Sequence, residues 1–247
     1  MFLALLILLN TALAGKPVSH ELNWDLTVDG TSIGKRTMTI KFLPSDEGML
    51  RILESWTEID GKVGPIWVQY VQRLTAHAGN EPASFHAVIE ENGNPREVQG
   101  RYTPDGWWVT NADAGRSRTV DVAANRIDLS SADLVDPESR MQLGRFADDS
   151  KVRLLSAETG DIWEGVLTAK GPSTISIDKS EVPVSGFHWD GPQGASEFFF
   201  SDEGYLVRYK MRLYGLHMQG TLVDKPPGGI DEFAVALGRP AIEVFDL

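Results

Sequence analysis

Leu22-Asn23-Trp24-Asp25-Leu26-Thr27-Val28-Asp29-Gly30 is the stretch on which the fold turns. Leu22, Trp24, Leu26 and Val28 alternate with polar partners, so an extended chain here has one apolar face and one wettable face. Asp29-Gly30 then supplies two residues that tolerate positive φ, the requirement of a tight hairpin turn. The same grammar repeats downstream. Met38, Ile40 and Phe42 carry a second strand to Pro44, and Asp46-Glu47-Gly48 turns the chain into Leu50, Ile52 and Trp56, ending at Asp60-Gly61. After Gly64-Pro65, Ile66, Val68, Tyr70 and Leu74 alternate. Phe85, Ala87 and Ile89 run to Asn92-Gly93, and Val98 and Tyr102 to Pro104-Asp105-Gly106. Hairpin after hairpin predicts an antiparallel meander, because parallel strands need long crossovers that this region lacks.

One helix is expected to interrupt it. Asp136 is an N-cap residue, Pro137 suits the first helical position, Glu138 complements the positive end of the dipole, and Gly144 stops the run after Leu143. Strands then resume from Val152 to Ala157 and from Trp163 to Ala169, followed by the alternating Thr174–Ile177 and by Glu197–Phe200. His188-Trp189-Asp190, ahead of Gly191-Pro192, reads as a loop. Along Tyr205–Leu213, Tyr205, Val207, Tyr209, Met211 and Leu213 point one way while Arg208, Lys210 and Arg212 point the other. The fold class is therefore mainly β: an antiparallel meander curled into a half-closed barrel with one short helix.

The chain has 247 residues, 23 basic and 35 acidic side chains, a formal net charge of −12, and no Cys. Such a field repels phosphate backbones and disfavours nucleic acid or anionic surfaces as partners. Without Cys there is no disulfide framework, thiol nucleophile or Cys-ligated metal. Phe2–Leu9 is apolar and Ala12-Leu13-Ala14 has a signal-peptidase pattern, so residues 1–14 read as a signal peptide and Gly15 as the mature start. The run is far short of the roughly 20 residues of a membrane span. Residues 15–225 form the expected domain, and 226–247, opening with Pro226-Pro227-Gly228-Gly229, a hinge and tail. The expected location is the bacterial periplasm or the exterior.

Chemistry is sparse. The five His make no HxH, HxxxH or HExxH pair, so neither a metal nor another cofactor is expected, although His77 and His86 can meet across a hairpin near Glu90 and Glu91. No nucleophile-elbow or phosphate-loop motif occurs. Glu54 and Glu58 flank Trp56 on one strand face, the arrangement of a sugar hydrolase wall, or simply a solvated face.

The run from Trp189 through Glu197-Phe198-Phe199-Phe200-Ser201-Asp202-Glu203-Gly204 to Tyr209 and Tyr214-Gly215-Leu216 resembles the end of a family of uncharacterised bacterial periplasmic proteins. Val28-Asp29-Gly30-Thr31-Ser32-Ile33-Gly34 and the Asp136-Pro137 turn are similar to that family's opening and middle. The family looks like relatives of the lipoprotein-carrier fold, a half-closed antiparallel barrel with helical plugs and an apolar concavity. The resemblance implies a non-enzymatic protein that binds a lipid-like molecule or a protein segment in its concave face. The residues expected there are Trp56, Tyr70, Phe85, Phe198, Phe200, Tyr209, Met211 and Leu213, which equally can be plain core. The alternatives are an envelope sugar hydrolase using Glu54 and Glu58, and an envelope assembly or scaffold protein.

Overall fold

The computed structural model describes residues 17–45, 48–79, 83–113, 116–123, 127–132, 143–144, 149–213, 215–224 and 226. The expected signal peptide, the tail beyond Pro226 and most of the expected helix lie outside the described residues. Leu143 and Gly144, the end of that helix, are helical, and Leu143 is buried.

Among the described residues, fifteen strands make one sheet. They are β1 (Val18–Val28), β2 (Thr31–Ser45), β3 (Gly48–Val63), β4 (Ile66–Gly79), β5 (Ser84–Glu91), β6 (Asn94–Thr103), β7 (Gly106–Asp113) and β8 (Arg116–Ala123), then β9 (Leu129–Ser130), β10 (Ser150–Leu155), β11 (Ile162–Ile177), β12 (Ser180–Gly191), β13 (Gly194–Ser201), β14 (Leu206–Leu213) and β15 (Leu216–Leu222). The spatial order is β8-β7-β6-β5-β4-β3-β2-β1-β15-β14-β13-β12-β11-β10-β9. Every pair is antiparallel except the two-residue β9–β10 contact. The turn chemistry is as the sequence predicts: Asp29 and Gly30 have φ of 49° and 80°, Asn92 and Gly93 of 50° and 78°.

The sheet curls into a barrel-like fold without closing: among the described residues its end strands β8 and β9 do not pair. Six residue steps from Ala123 to Leu129 hold those two edges within about 21 Å of each other. Alternation buries one face. Trp24, Leu26, Met38, Ile40, Phe85, Ile89, Val98, Phe200 and Tyr209 stand on it and form a single core.

Glycines opposite rings let the inner face pack. Phe85 is paired with Gly100 and Tyr209 with Gly220. A Cβ at Gly100 would lie 2.2 Å from the Phe85 ring, and one at Gly220 2.4 Å from the Tyr209 ring. Each aromatic therefore lies flat across the bare backbone of its neighbour.

Three local expectations are corrected. His188-Trp189-Asp190 is not a loop but the end of β12, with Trp189 buried. Leu167 to Ile177 belongs to one strand, β11, broken only by a register shift between Ala169 and Gly171. Opposite that shift, burial on β12 moves from Val182 and Val184 to Phe187 and Trp189, a change of phase that a bulge produces. On β3 the buried face is Leu53, Ser55, Thr57 and Ile59, so Trp56 faces outward. Alternation through Leu50 and Ile52 misleads here because two of the inward residues are polar.

Candidate functional site

One row of cross-strand partners runs along the inner face from Trp24 (β1) through Arg36 (β2), Thr57 (β3), Gln72 (β4) and Ile89 (β5) to Arg96 (β6). Polar side chains in such a row sit where period-two alternation calls for apolar ones, and Thr57 and Gln72 are buried. Arg36 donates from Nε to Ser55 Oγ at 3.0 Å. Its guanidinium carbon lies 5.7 Å from the Trp24 ring and 6.0 Å from the Tyr209 ring, so the charge is held against two aromatic faces.

The turn between β10 and β11, Ser156–Asp161, reaches this row from the other half of the sheet. Glu158 accepts from Gln72 Nε2 at 3.5 Å and from Ser156 Oγ at 3.4 Å. The Ser156 hydroxyl oxygen accepts from the backbone N–H groups of Glu158 and Thr159 at 3.2 and 3.1 Å. Asn111 on β7 donates to the Thr159 carbonyl, and Arg118 on β8 pairs with Asp161 at 3.1 Å. Gly160, at φ 70°, sits so close to Val109 and Val98 that a Cβ would come within 3.2 and 3.4 Å of them. The turn thus closes the mouth of the curl with side-chain contacts in place of strand pairing.

Two phenols face the same space. Burial, and next the Glu158 carboxylate, push the Tyr70 hydroxyl far above its ordinary range, against the pull of Arg96 and Arg36; Glu91 adds to the rise. Burial likewise raises Tyr209, with Arg36 opposing. Both stay neutral and offer O–H donors. The site is donor-rich: a guanidinium, two phenols and an amide around one carboxylate.

Of the eight residues expected on a binding face, Tyr70, Phe198 and Tyr209 converge here, Phe198 being the cross-strand partner of Tyr209. Met211, half-buried, pairs with Met218 two residues further along β14. Phe85 packs on Trp107 at 5.6 Å, and Phe200 on Phe187 at 6.0 Å, both inward. Leu213 ends β14 opposite Leu216. Trp56 stands on the other side of the sheet, 37% exposed, with Arg73 4.4 Å above its ring. Sequence reasoning missed Arg36, Gln72 and Glu158; only the polar breaks in the alternation at Arg36, Ser55, Thr57 and Gln72 carried a signal.

The cavity between Leu129, Leu143, Val152, Leu154, Leu167, Trp189 and Phe198 holds about 10 Å³, room for a single water. On the outer face, Glu54 is tied to Lys41 at 2.7 Å, and four residue steps along β3, about 13 Å of backbone, lead from it to Glu58. His77 Nδ1 lies 3.4 Å from Ser84 Oγ, and His86 Nε2 2.9 Å from Glu97, which its bonds from Gln99 and then His86 hold below the usual carboxylate range. Among the described residues no group of three or more His, Asp or Glu stands close enough to hold a metal ion, and no helix is long and apolar enough to cross a membrane.

No family model matches the chain, and no curated protein does. A solved structure is similar in fold: a beta-barrel-like protein of a domain of unknown function, DUF1849, from Brucella abortus. It superposes with a TM-score of 0.55 at 14% identity, over 85% of this chain and 98% of that one. At such identity the likeness carries the barrel-like fold alone.

Proposed function

We propose that this chain is an exported, non-enzymatic binding protein that holds an apolar, lipid-like molecule against the inner face of its half-closed sheet, in the manner of the lipoprotein-carrier fold. The observation that supports this most is where the aromatic side chains stand. Tyr70, Phe85, Phe198, Phe200 and Tyr209 share the face turned inward by a sheet whose two ends are not bonded to each other. A curl held shut by a turn can open without breaking a strand ladder, which a closed barrel cannot do. Uptake beside Gln72 requires the Ser156–Asp161 turn, whose Glu158 now bonds that amide, to withdraw. Export rests on Ala12-Leu13-Ala14 behind the apolar run Phe2–Leu9.

A protein segment is the second reading. It is favoured by β8, eight residues that among the described residues are paired on one side only, to which an extended peptide could add as a further strand.

Native mass spectrometry of protein purified from its own host tests the first reading. A co-purifying lipid is the expected result, together with an N-terminus at or near Gly15. Ligand-free protein beginning at Met1 in a cytoplasmic fraction would overturn it.

A further inference from the structure

We infer that the apolar ligand carries a carboxylate head, seated between Arg36 and Arg96 where the Glu158 carboxylate now reaches in. This rests on the binding reading above and says what that reading leaves open, namely which end of the molecule is recognised.

Arg36 and Arg96 project from the same inner row, separated by Thr57, Gln72 and Ile89. Neither makes an ion pair among the described residues. Arg36 is hydrogen-bonded to Ser55 and faced by two rings, and Arg96 Nε is buried without a hydrogen-bond partner. Two half-buried guanidiniums on one inner row, neither ion-paired among the described residues, favour a negative group beside them. Between them, Gln72 offers its amide, while Tyr70 and Tyr209 keep their protons and offer hydroxyls. These are the donors that solvate a carboxylate.

Glu158 already demonstrates the fit. It is carried on a turn, and both of its hydrogen bonds, at 3.5 and 3.4 Å, are at the long limit of the interaction. Glu91, the strand partner of Tyr70, is the other acid acting on that phenol, but it sits at the end of β5 and not on a movable turn. The long contacts make Glu158 a placeholder. A ligand carboxylate that binds Arg36 directly gains a charge-assisted contact that Glu158 does not make, and its chain then runs along Phe198 and the neighbouring apolar wall.

The test compares oleate with oleyl alcohol as displacers of the neutral fluorescent probe N-phenyl-1-naphthylamine from the full mature chain. Oleate is expected to displace at a concentration about tenfold lower than the alcohol, the worth of one charged hydrogen bond. Arg36→Gln, and separately Arg96→Gln, should each narrow that gap. Glu158→Gln should strengthen oleate, because the resident carboxylate no longer competes. Equal displacement by acid and alcohol in the parent protein, or weaker oleate binding by Glu158→Gln, would overturn the carboxylate assignment and leave the apolar-binding reading standing. Failure of both compounds to displace the probe, or of the probe to bind, would overturn both.

Discussion

Gln72 and Glu158, 86 residues apart in the chain, meet inside the curl with Nε2 3.5 Å from Oε1. One belongs to a central strand of the first eight, the other to a turn of the last seven. Their contact is part of the seal between the two halves.

Because that seal is made of long side-chain bonds, it should open locally before the sheet does. Glu158→Ala is expected to cost less than about 1 kcal/mol globally while speeding amide exchange at residues 157–161, with β14 left protected. Hydrogen-exchange mass spectrometry reads both. Uniform acceleration across β14 as well would show that the turn is part of the global unit.

Gly220→Ala should be disproportionately harmful for a single methyl. The new Cβ would fall 2.4 Å from the Tyr209 ring, which must swing off the Gly220 backbone and away from Arg36. Overpacking of this kind costs about 1–3 kcal/mol. Urea unfolding measures the loss, and a near-neutral outcome would mean that the ring has a second place to go.

Asp128 and Arg153 lock the β9 edge to β10. Arg153 donates to the carboxylate from its backbone N–H at 2.7 Å and from Nε and Nη2, each at 3.1 Å. Burial works against the charge on Asp128, but these bonds outweigh it and hold the carboxyl below its ordinary range. A depressed carboxyl stabilises the fold above the unfolded value of about 3.9, and that contribution disappears as pH falls through the lower folded value. Asp128→Asn should therefore lower the urea midpoint at pH 7. Its penalty should shrink below about pH 4 and vanish once the native carboxyl is protonated. A penalty that stays constant down to pH 2 would refute the linkage.

The two faces of the sheet make a further contrast. Phe85 is 4% exposed and Trp56 37%. Phe85→Ala should cost about 3–5 kcal/mol, whereas Trp56→Ala should cost about 1 kcal/mol or less, mainly its contact with Arg73. Comparable losses at the two positions would mean that something covers the outer face at Trp56.

These contrasts show what in the fold was readable from residues and what was not. Asp29-Gly30 and Asn92-Gly93 announce their hairpins because Gly marks positive φ. Asp178-Lys179, with φ of 43° and 62°, makes the β11–β12 turn with no glycine, so the long hairpin passes for separate strands and a loop. The aromatic wall was legible as alternation along Phe198–Phe200 and Tyr205–Leu213. Arg36, Gln72 and Glu158 were not, because the row that unites them runs across strands, and sequence pattern speaks only along them.

The pairing of β1 with β15 has a consequence for how the chain acquires this shape. Every other neighbouring pair joins strands consecutive in sequence, and all of these but the parallel β9–β10 contact are hairpins that can form as soon as both strands exist. The β1–β15 ladder, with Trp24 opposite Leu222, has no such shortcut. As the polypeptide grows from its N-terminus, β1 presents a bare row of N–H and C=O groups until the last strand has been made. During that interval it is the natural template for a neighbouring nascent chain. Joining the two meanders at β1 and β15 should then be the late, concentration-sensitive event in refolding. Dilution should improve the yield, and an added peptide copying Leu216–Leu222 should poison it.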